Sequence, residues 1–311
     1  MSSAPQSPVT VRQLVVISGK GGTGKTSLTA SFACLAGETV VADCDVDAAD
    51  LHLVLTPKVR ERHEFRSGHE AVIRDADCIQ CGACRENCRF GAITVRDRAA
   101  GSRPEFAIDP IACEGCGVCV RFCPAQAIDF PERLCGEWMV SDTRCGPMVH
   151  ARLGTAAENS GKLVSVVRRK AHQLAEESGF PLVIVDGPPG IGCPVIASVT
   201  GASLVVIVTE PTVSGEHDLE RVLALTRHFA IPALVCVNKW DLNPAMTERI
   251  ENKARLSGAQ AAGRIRYDRR VTKAQLETLA VVETDAAAAE DINQIWNKVM
   301  SLGGLDVSAG R

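Results

Sequence analysis

Short, unbroken apolar runs recur along the chain, each closing on glycine, aspartate or another turn residue. Val11–Ile17, Glu38–Ala42, Pro181–Val185, Ser203–Val208 and Ala233–Val237 are dominated by Val, Ile, Leu and Ala. They are too short for ordinary helices, and their β-branched content predicts buried strands. Longer mixed stretches lie between them, and Ser27–Ala36, Lys162–Glu177 and Glu216–His228 read as helices. Strands that are apolar on both faces and alternate with helices belong to parallel sheets covered on both sides. The expected fold class is therefore α/β, with a mostly parallel sheet covered by helices.

Between about Val59 and Leu134 the texture changes. Cysteines accumulate, apolar runs shorten and charged residues separate them. The α/β pattern resumes afterwards, so this segment reads as an insertion, a small α+β module at 59–135 within a larger domain built from 1–58 and 136–311. It also carries an internal repeat. Cys-x2-Cys-Gly-x-Cys-x3-Cys-x3-Ala-Ile runs from Cys78 to Ile93 and again from Cys113 to Ile128.

Composition narrows the classes. The chain has 311 residues, 46% hydrophobic and 23% charged, enough for a sizeable core. Aromatics are only 4%, so that core must be aliphatic. A net charge of −3 without a basic run argues against nucleic-acid or membrane-surface partners. No apolar run approaches the roughly 20 residues a spanning helix needs, and Met1–Pro8 is polar, unlike a signal peptide. Fourteen cysteines without an export signal point to a reducing compartment, the cytoplasm, where clustered thiols serve as metal ligands rather than disulfides.

Gly19-Lys20-Gly21-Gly22-Thr23-Gly24-Lys25-Thr26 satisfies G-x4-G-K-[ST] between the first strand and the first helix. Such a loop turns backbone N–H groups toward phosphates, and the start of the helix, where Ser27 follows, adds partial positive charge. Lys25 is expected to reach the β/γ-phosphates, and the Thr26 hydroxyl to ligate Mg²⁺. Gly21, Gly22, Thr23, Gly24 and Ser27 complete the nucleotide cradle.

The additional lysine, Lys20, makes the loop resemble the deviant Walker A of the MinD/Mrp/ParA group of P-loop ATPases, which also includes the nitrogenase iron protein. Asp43-Cys44-Asp45, the strand-terminal Asp186 with Gly187-Pro188-Pro189-Gly190 behind it, and the stretches Cys145–Leu153 and Thr209–Gly215 carry the same resemblance. It implies that Lys20 contacts nucleotide across an ATP-sandwiched dimer and that Asp45 positions or activates the attacking water. Asp43 would support the Mg²⁺ shell, Asp186 would hold Mg²⁺ through water, and the Gly190 N–H would sense the γ-phosphate. Asn238 would contact adenine. Asn238-Lys239-Trp240-Asp241 also fits the guanine motif of GTPases, but the Lys20 signature belongs to ATPases, so ATP is the expected nucleotide. Arg266 stands where relatives tend to carry proline, in Arg264-Ile265-Arg266-Tyr267-Asp268.

The spacing C-x2-C-x2-C-x3-C is that of bacterial two-cluster ferredoxins, in which the fourth cysteine of each run serves the other cluster. One [4Fe–4S] cluster is expected on Cys78, Cys81, Cys84 and Cys123. The second is expected on Cys113, Cys116, Cys119 and Cys88. Cys34 and Cys236 read as inert core thiols, and Cys44 as packing between the two aspartates. Cys193 follows Asp186 by seven residues, the spacing at which the nitrogenase iron protein ligates a cluster shared between subunits. A bridging metal site with Cys135 or Cys145 as companions and an incidental thiol are both open readings of Cys193.

The resemblance covers nearly the whole chain and leaves three functions open. ATP-driven dimerisation gates electron transfer to a partner or to a metal cofactor under assembly. Alternatively, the chain is a scaffold or carrier of iron–sulfur units, as Mrp-type proteins are. In the third reading it is a MinD-like positioning ATPase with structural clusters. The third expects a basic amphipathic terminal helix, which Asp291–Arg311 does not offer. The expected partners are a second copy or a paralogous ATPase, together with an electron donor, acceptor or metal-cluster-binding protein. The ATPase component of an Orange protein-type complex is one candidate context.

Overall fold

The computed structural model describes residues 10–96, 104–154, 159–302 and 304. Met1–Pro8 and most of the tail beyond Leu302 lie outside the described residues. The chain forms two compact units. The first comprises the described residues up to His63, Glu137–Leu153 and those from Ser160 onward. The second comprises those of Glu64–Gly136, with Gly154 and Asn159.

The first unit is organised on a nine-stranded sheet. Its strands, in chain order, are β1 (Arg12–Ser18), β2 (Thr39–Asp43), β3 (Lys58–His69, of which Lys58–His63 lie in this unit), β4 (Glu132–Thr143, of which Glu137–Thr143 lie in this unit), β5 (Gly146–Leu153), β6 (Leu182–Pro189), β7 (Leu204–Thr209), β8 (Ala233–Asn238) and β9 (Gln260–Ile265). They lie side by side as β9-β8-β7-β1-β6-β2-β5-β4-β3. All pairings from β9 across to β5 are parallel. The central strands are buried along most of their length, as their apolar runs predict.

Register places the chemistry. In β6 against β2, Asp186 stands opposite Asp43, and Val16 of β1 lies on the other side of Asp186. Two carboxylates therefore become neighbours because the parallel strands are in register, although β6 runs on past Asp186 to Pro189 whereas β2 stops at Asp43. Helix Lys25–Ala36 follows β1 and is buried over most of its circumference, from Lys25 to Ala33. Its small Thr, Ser and Ala side chains permit that approach, with Thr29 and Ser31 hydroxyls donating to the carbonyls of Lys25 and Ser27. The last helix, Ala287–Leu302, directs Ile292, Ile295, Trp296 and Val299 into the core, where Trp296 meets Phe32 at 5.1 Å between ring centroids.

β3 and β4 escape a hydrophobic reading because they are ribbon strands. Lys58–His69 alternates charge with charge and is exposed along most of its length. Its register in the first unit is marked by ion pairs, Arg62 with Glu137 at 2.8 Å and Arg60 with Asp142 at 3.1 Å, and by His63 stacked on Trp138. Such exposed pairs select alignment more than they add stability.

β4 and β5 are joined by the two-residue turn Arg144-Cys145. On them, Ser141 Oγ and His150 Nε2 lie 2.8 Å apart in the core. Burial above all, with His52 and Arg62 nearby, pushes the His150 imidazole down to about 4. The neutral ring is thus the native form. The stability it supports is complete above the ordinary value of 6.5 and is lost as pH falls toward 4. The urea midpoint should drop across that window, and His150→Gln should flatten the dependence.

Candidate functional site

The loop between β1 and helix Lys25–Ala36 turns through two left-handed residues, Gly22 (φ 77°) and Gly24 (φ 88°). A Cβ on Gly24 would fall 2.3 Å from Asn238 Nδ2, so this position has neither the backbone angle nor the space for a side chain. Asn238 Nδ2 donates to the Thr23 carbonyl at 2.8 Å, which ties the end of β8 to the loop. Gly21 and Gly22 are exposed, whereas Thr23, Lys25 and Ser27 are buried. Ser27 Oγ accepts from Gln275 Nε2 at 2.8 Å.

Lys25 Nζ stands 3.0 Å from Asp186 Oδ1, 3.4 Å from Asp45 Oδ2 and 3.4 Å from Thr26 Oγ1. Asp186 also accepts from Thr26 Oγ1 and Thr29 Oγ1, both at 2.9 Å. Asp43 Oδ1 accepts the Asp45 N–H at 3.1 Å. Three carboxylates thus converge on one ammonium. Burial alone would push Lys25 down, but Asp186, Asp45 and Asp43 outweigh it and hold the ammonium above its ordinary value. Burial, then repulsion from Asp186, drives Asp43 well up; burial also raises Asp45 against the pull of Lys25.

The donor set fits a magnesium nucleotide. Thr23 Oγ1 and Asp43 Oδ2 are buried without a hydrogen-bond partner, and such orphaned polar atoms are costly unless a ligand satisfies them. The surplus of carboxylate oxygen suits a hard divalent cation. The Gly190 N–H donates to the Ser18 carbonyl at 2.8 Å, and Gly190 itself is left-handed at φ 93°.

Lys20 is held within the chain, with Nζ 3.2 Å from Ser214 Oγ and 3.5 Å from Glu210 Oε2. Glu210 also pairs with Lys239. Beyond β8, Asp241 Oδ1 accepts the Tyr267 N–H at 2.7 Å, which commits the carboxylate that a guanine motif would use. Arg266, at the position of the expected proline, makes a two-point ion pair with Asp291.

In the second unit the repeat is also a repeat of backbone conformation. Gln80 and Gly115, Gly82 and Gly117, and Gly91 and Gln126 occupy equivalent positions, and all six have positive φ. Two short antiparallel pairs frame the module, Val72–Ile73 with Ile128–Asp129 and Ile93–Arg96 with Glu105–Ile108. It holds two small, partly open hollows. Cys78, Cys81, Cys84 and Cys123 line one, and Cys88, Cys113, Cys116 and Cys119 the other. Each hollow draws three thiols from one run and the fourth from the other.

Among the described residues, no three of these eight sulfurs lie within 4.8 Å of one another. A tetrahedral zinc site with Zn–S of about 2.3 Å brings its sulfurs to roughly 3.8 Å. The sulfurs are therefore too far apart for a single ion, and four thiols set among largely apolar side chains in each hollow fit iron–sulfur ligation. Burial first, then the neighbouring thiols, raises Cys84 and Cys119. Metal must displace those protons.

The remaining cysteines correct part of the sequence reading. Cys34 is not an inert free thiol: it is disulfide-bonded to Cys145. Sequence separation hides such a pair, since a helix residue meets a turn residue 111 positions later. Cys145 is thereby removed as a companion for Cys193. Cys135 is buried and its thiol donates to the Ser67 carbonyl. Cys44 and Cys236 are buried, and burial raises both, Cys236 to about 12. Cys193 is exposed at the first turn of helix Cys193–Val199.

The model of the "CobQ/CobB/MinD/ParA nucleotide binding domain" family matches residues 14–281. The chain belongs to that family. The uncharacterized protein MJ0578 of Methanocaldococcus jannaschii is 31% identical over 236 residues, 75% of this chain and 80% of that protein. The septum site-determining protein MinD of Pyrococcus horikoshii, solved as a complex with Mg-ADP, shares the fold at a TM-score of 0.58. That match is 15% identical and covers 96% of this chain and 99% of the other. A segment of 60 residues, 18% of this chain, is 43% identical to the polyferredoxin protein MvhB of Methanothermus fervidus, of which it covers 12%. The chain is thus a P-loop protein of the MinD/ParA class carrying a ferredoxin-like, cysteine-rich insert. No helix among the described residues is long and apolar enough to cross a membrane.

Within this family framework, motif reading missed Thr29, Glu210 and Gln275. Thr29 carries a signal, since it follows Lys25 by four residues and so lies on the same helix face. Glu210 and Gln275 reach Lys20 and Ser27 only through the fold.

Proposed function

We propose that this chain binds and hydrolyses Mg-ATP and couples ATP-driven dimerisation to electron transfer, through two [4Fe–4S] clusters, to a partner protein or a metal cofactor under assembly. The crossing of the two cysteine runs carries the reading: two ferredoxin-type sites are continuous in sequence with a P-loop that bears Lys20. Residues 59–135 are then the inserted ferredoxin domain, and 1–58 with 136–311 the ATPase domain.

In this mechanism Lys25 and the N–H groups of Gly21–Ser27 bind the β/γ-phosphates. Thr26 would ligate Mg²⁺ and Asp186 would hold it through water, with Asp43 supporting them; the ion would neutralise phosphate charge when bound. Asp45 orients the attacking water and Asn238 bears on the adenine. Gly190 exchanges its bond to the Ser18 carbonyl for one to phosphate, which makes its loop responsive to nucleotide. Lys20 leaves Glu210 and Ser214 and reaches nucleotide on the other subunit. Lys20→Ala should therefore retain Mg-ATP binding while losing dimerisation and turnover; hydrolysis at the parental rate would remove the trans role. Asp45→Ala should accumulate the ATP-bound dimer.

The exposed thiols Cys81 and Cys116 favour the second reading, a carrier that releases clusters. Positioning at a membrane is not favoured by the last described helix, Ala287–Leu302, which commits its apolar stripe to the core. The deciding measurement is anaerobic electron transfer from the reduced, reconstituted chain to a viologen-class acceptor, with and without Mg-ATP. Acceleration by Mg-ATP with clusters retained supports gating. Identical rates, with clusters lost to a chelator, would replace it by the carrier reading. A shared site at Cys193 rests on spacing and exposure alone; unchanged metal content in a Cys193→Ser variant lacking the eight module cysteines would end it.

A further inference from the structure

The Cys34–Cys145 disulfide lies outside both sites but is built into the element that carries one of them. Cys34 is on the helix that opens with Lys25, and Cys145 is in the turn between β4 and β5. That turn is anchored by its neighbour. Arg144 donates to the carbonyls of Val54 and Thr278, both at 3.0 Å, and to the two carboxylate oxygens of Glu283 at 2.8 and 2.6 Å. Cys145 packs with Ala30, Ala33, Leu51 and Met148, so the disulfide sits against the phosphate-loop helix rather than on a free surface. The two residues differ in burial: Cys145 is buried, whereas Cys34 is half-buried.

We propose that Cys34 and Cys145 form a thiol–disulfide regulatory site, through which a small disulfide oxidant slows nucleotide turnover at the phosphate loop. In oxidation, the Cys34 thiolate attacks one sulfur of the oxidant and expels a small thiolate. The Cys145 thiolate then attacks Cys34 Sγ of this mixed disulfide, and the second half of the oxidant leaves as the second small thiolate. Two cysteine thiols are oxidised, one small disulfide is reduced to two thiols, and the protons pass to the departing thiolates. Reduction reverses this at the sulfur of Cys34, the less buried of the two residues, with Cys145 as leaving group. The closed link holds the helix to a turn that Arg144 fixes to two further segments. Lys25 and Thr26, at the start of that helix, must leave their present bonds to the carboxylates when nucleotide enters, and the link opposes the accompanying helix shift.

The functional readout rests on the hydrolysis reading above, whereas the covalent link does not. The full chain would be equilibrated anaerobically in oxidised glutathione or in dithiothreitol, alkylated and mapped by peptide mass, with Mg-ATP turnover measured in parallel. The expected result is a Cys34–Cys145 linked peptide in the oxidised sample only. Turnover should be lower there by about fivefold, the scale of an ordinary coupling between two sites, and restored by dithiothreitol. Cys34→Ser and Cys145→Ser should stay at the reduced rate in both buffers. Absence of the linked peptide overturns the proposal, as do equal rates in the two states. If neither state hydrolyses ATP, the hydrolysis reading fails separately, and equal Mg-ATP dissociation rates in the two states would then overturn the switch.

Discussion

Lys25→Ala is expected to lower Mg-ATP turnover by about two to three orders of magnitude, the usual effect of removing one preorganised charge donor from a reacting centre. The ammonium is the cation on which Asp186, Asp45 and Asp43 converge. Its removal does two things. The phosphate loses its counter-charge, and three buried carboxylates are left facing one another, which costs about 3–5 kcal/mol when a buried pair is broken. The variant should therefore melt at lower temperature without ligand and recover part of the loss when Mg²⁺ is added, because the cation replaces the missing charge. Thermal melts with and without Mg²⁺, alongside turnover, test both parts. Turnover near the parental value would show that the loop does not hold a reacting phosphate.

The second large effect concerns the crossed thiols. The parent chain should bind about eight iron atoms and eight sulfides after anaerobic reconstitution, and Cys78→Ala should retain about four of each. Crossing makes a sharper claim. Cys123 lines the same hollow as Cys78 although it belongs to the other run. Cys123→Ala should therefore abolish the same EPR signal as Cys78→Ala, and Cys88→Ala the same signal as Cys113→Ala. If Cys88→Ala instead shares the spectrum of Cys78→Ala, each run builds its own cluster and the ligand assignment is wrong. Zinc held by four thiolates at each site, without visible absorption, would remove the iron–sulfur reading altogether.

Much of this arrangement is legible in the residues because it depends on local spacing. The phosphate loop needs glycines and Lys25 within eight consecutive positions, and Gly22 and Gly24 adopt the left-handed angles that such residues permit. The cysteine runs likewise fix which thiols are close, since three of each hollow's four come from one short segment. Apolar runs located the central strands because burial on both faces leaves no alternation to misread. The same criterion missed β3, whose side chains are mostly exposed and charged. A ribbon strand is specified by its partner, through pairs such as Arg62 with Glu137, and a partner some 75 residues away leaves no local trace.

What the sequence by itself determined, then, is the identity of the reacting groups: one phosphate loop, a set of strand-end aspartates and two interlocked thiol sets. Tertiary structure alone decided how they meet. Parallel register sets Asp186 beside Asp43, and helix packing brings Thr29 to the same carboxylate. Folding also holds Lys20 on Glu210 and joins Cys34, expected as an inert core thiol, to Cys145, expected as a candidate companion of Cys193. The physical reason is common to all four. Each contact is short in space and long in sequence, so its energy depends on elements that must first pack, and no spacing rule along the chain encodes it.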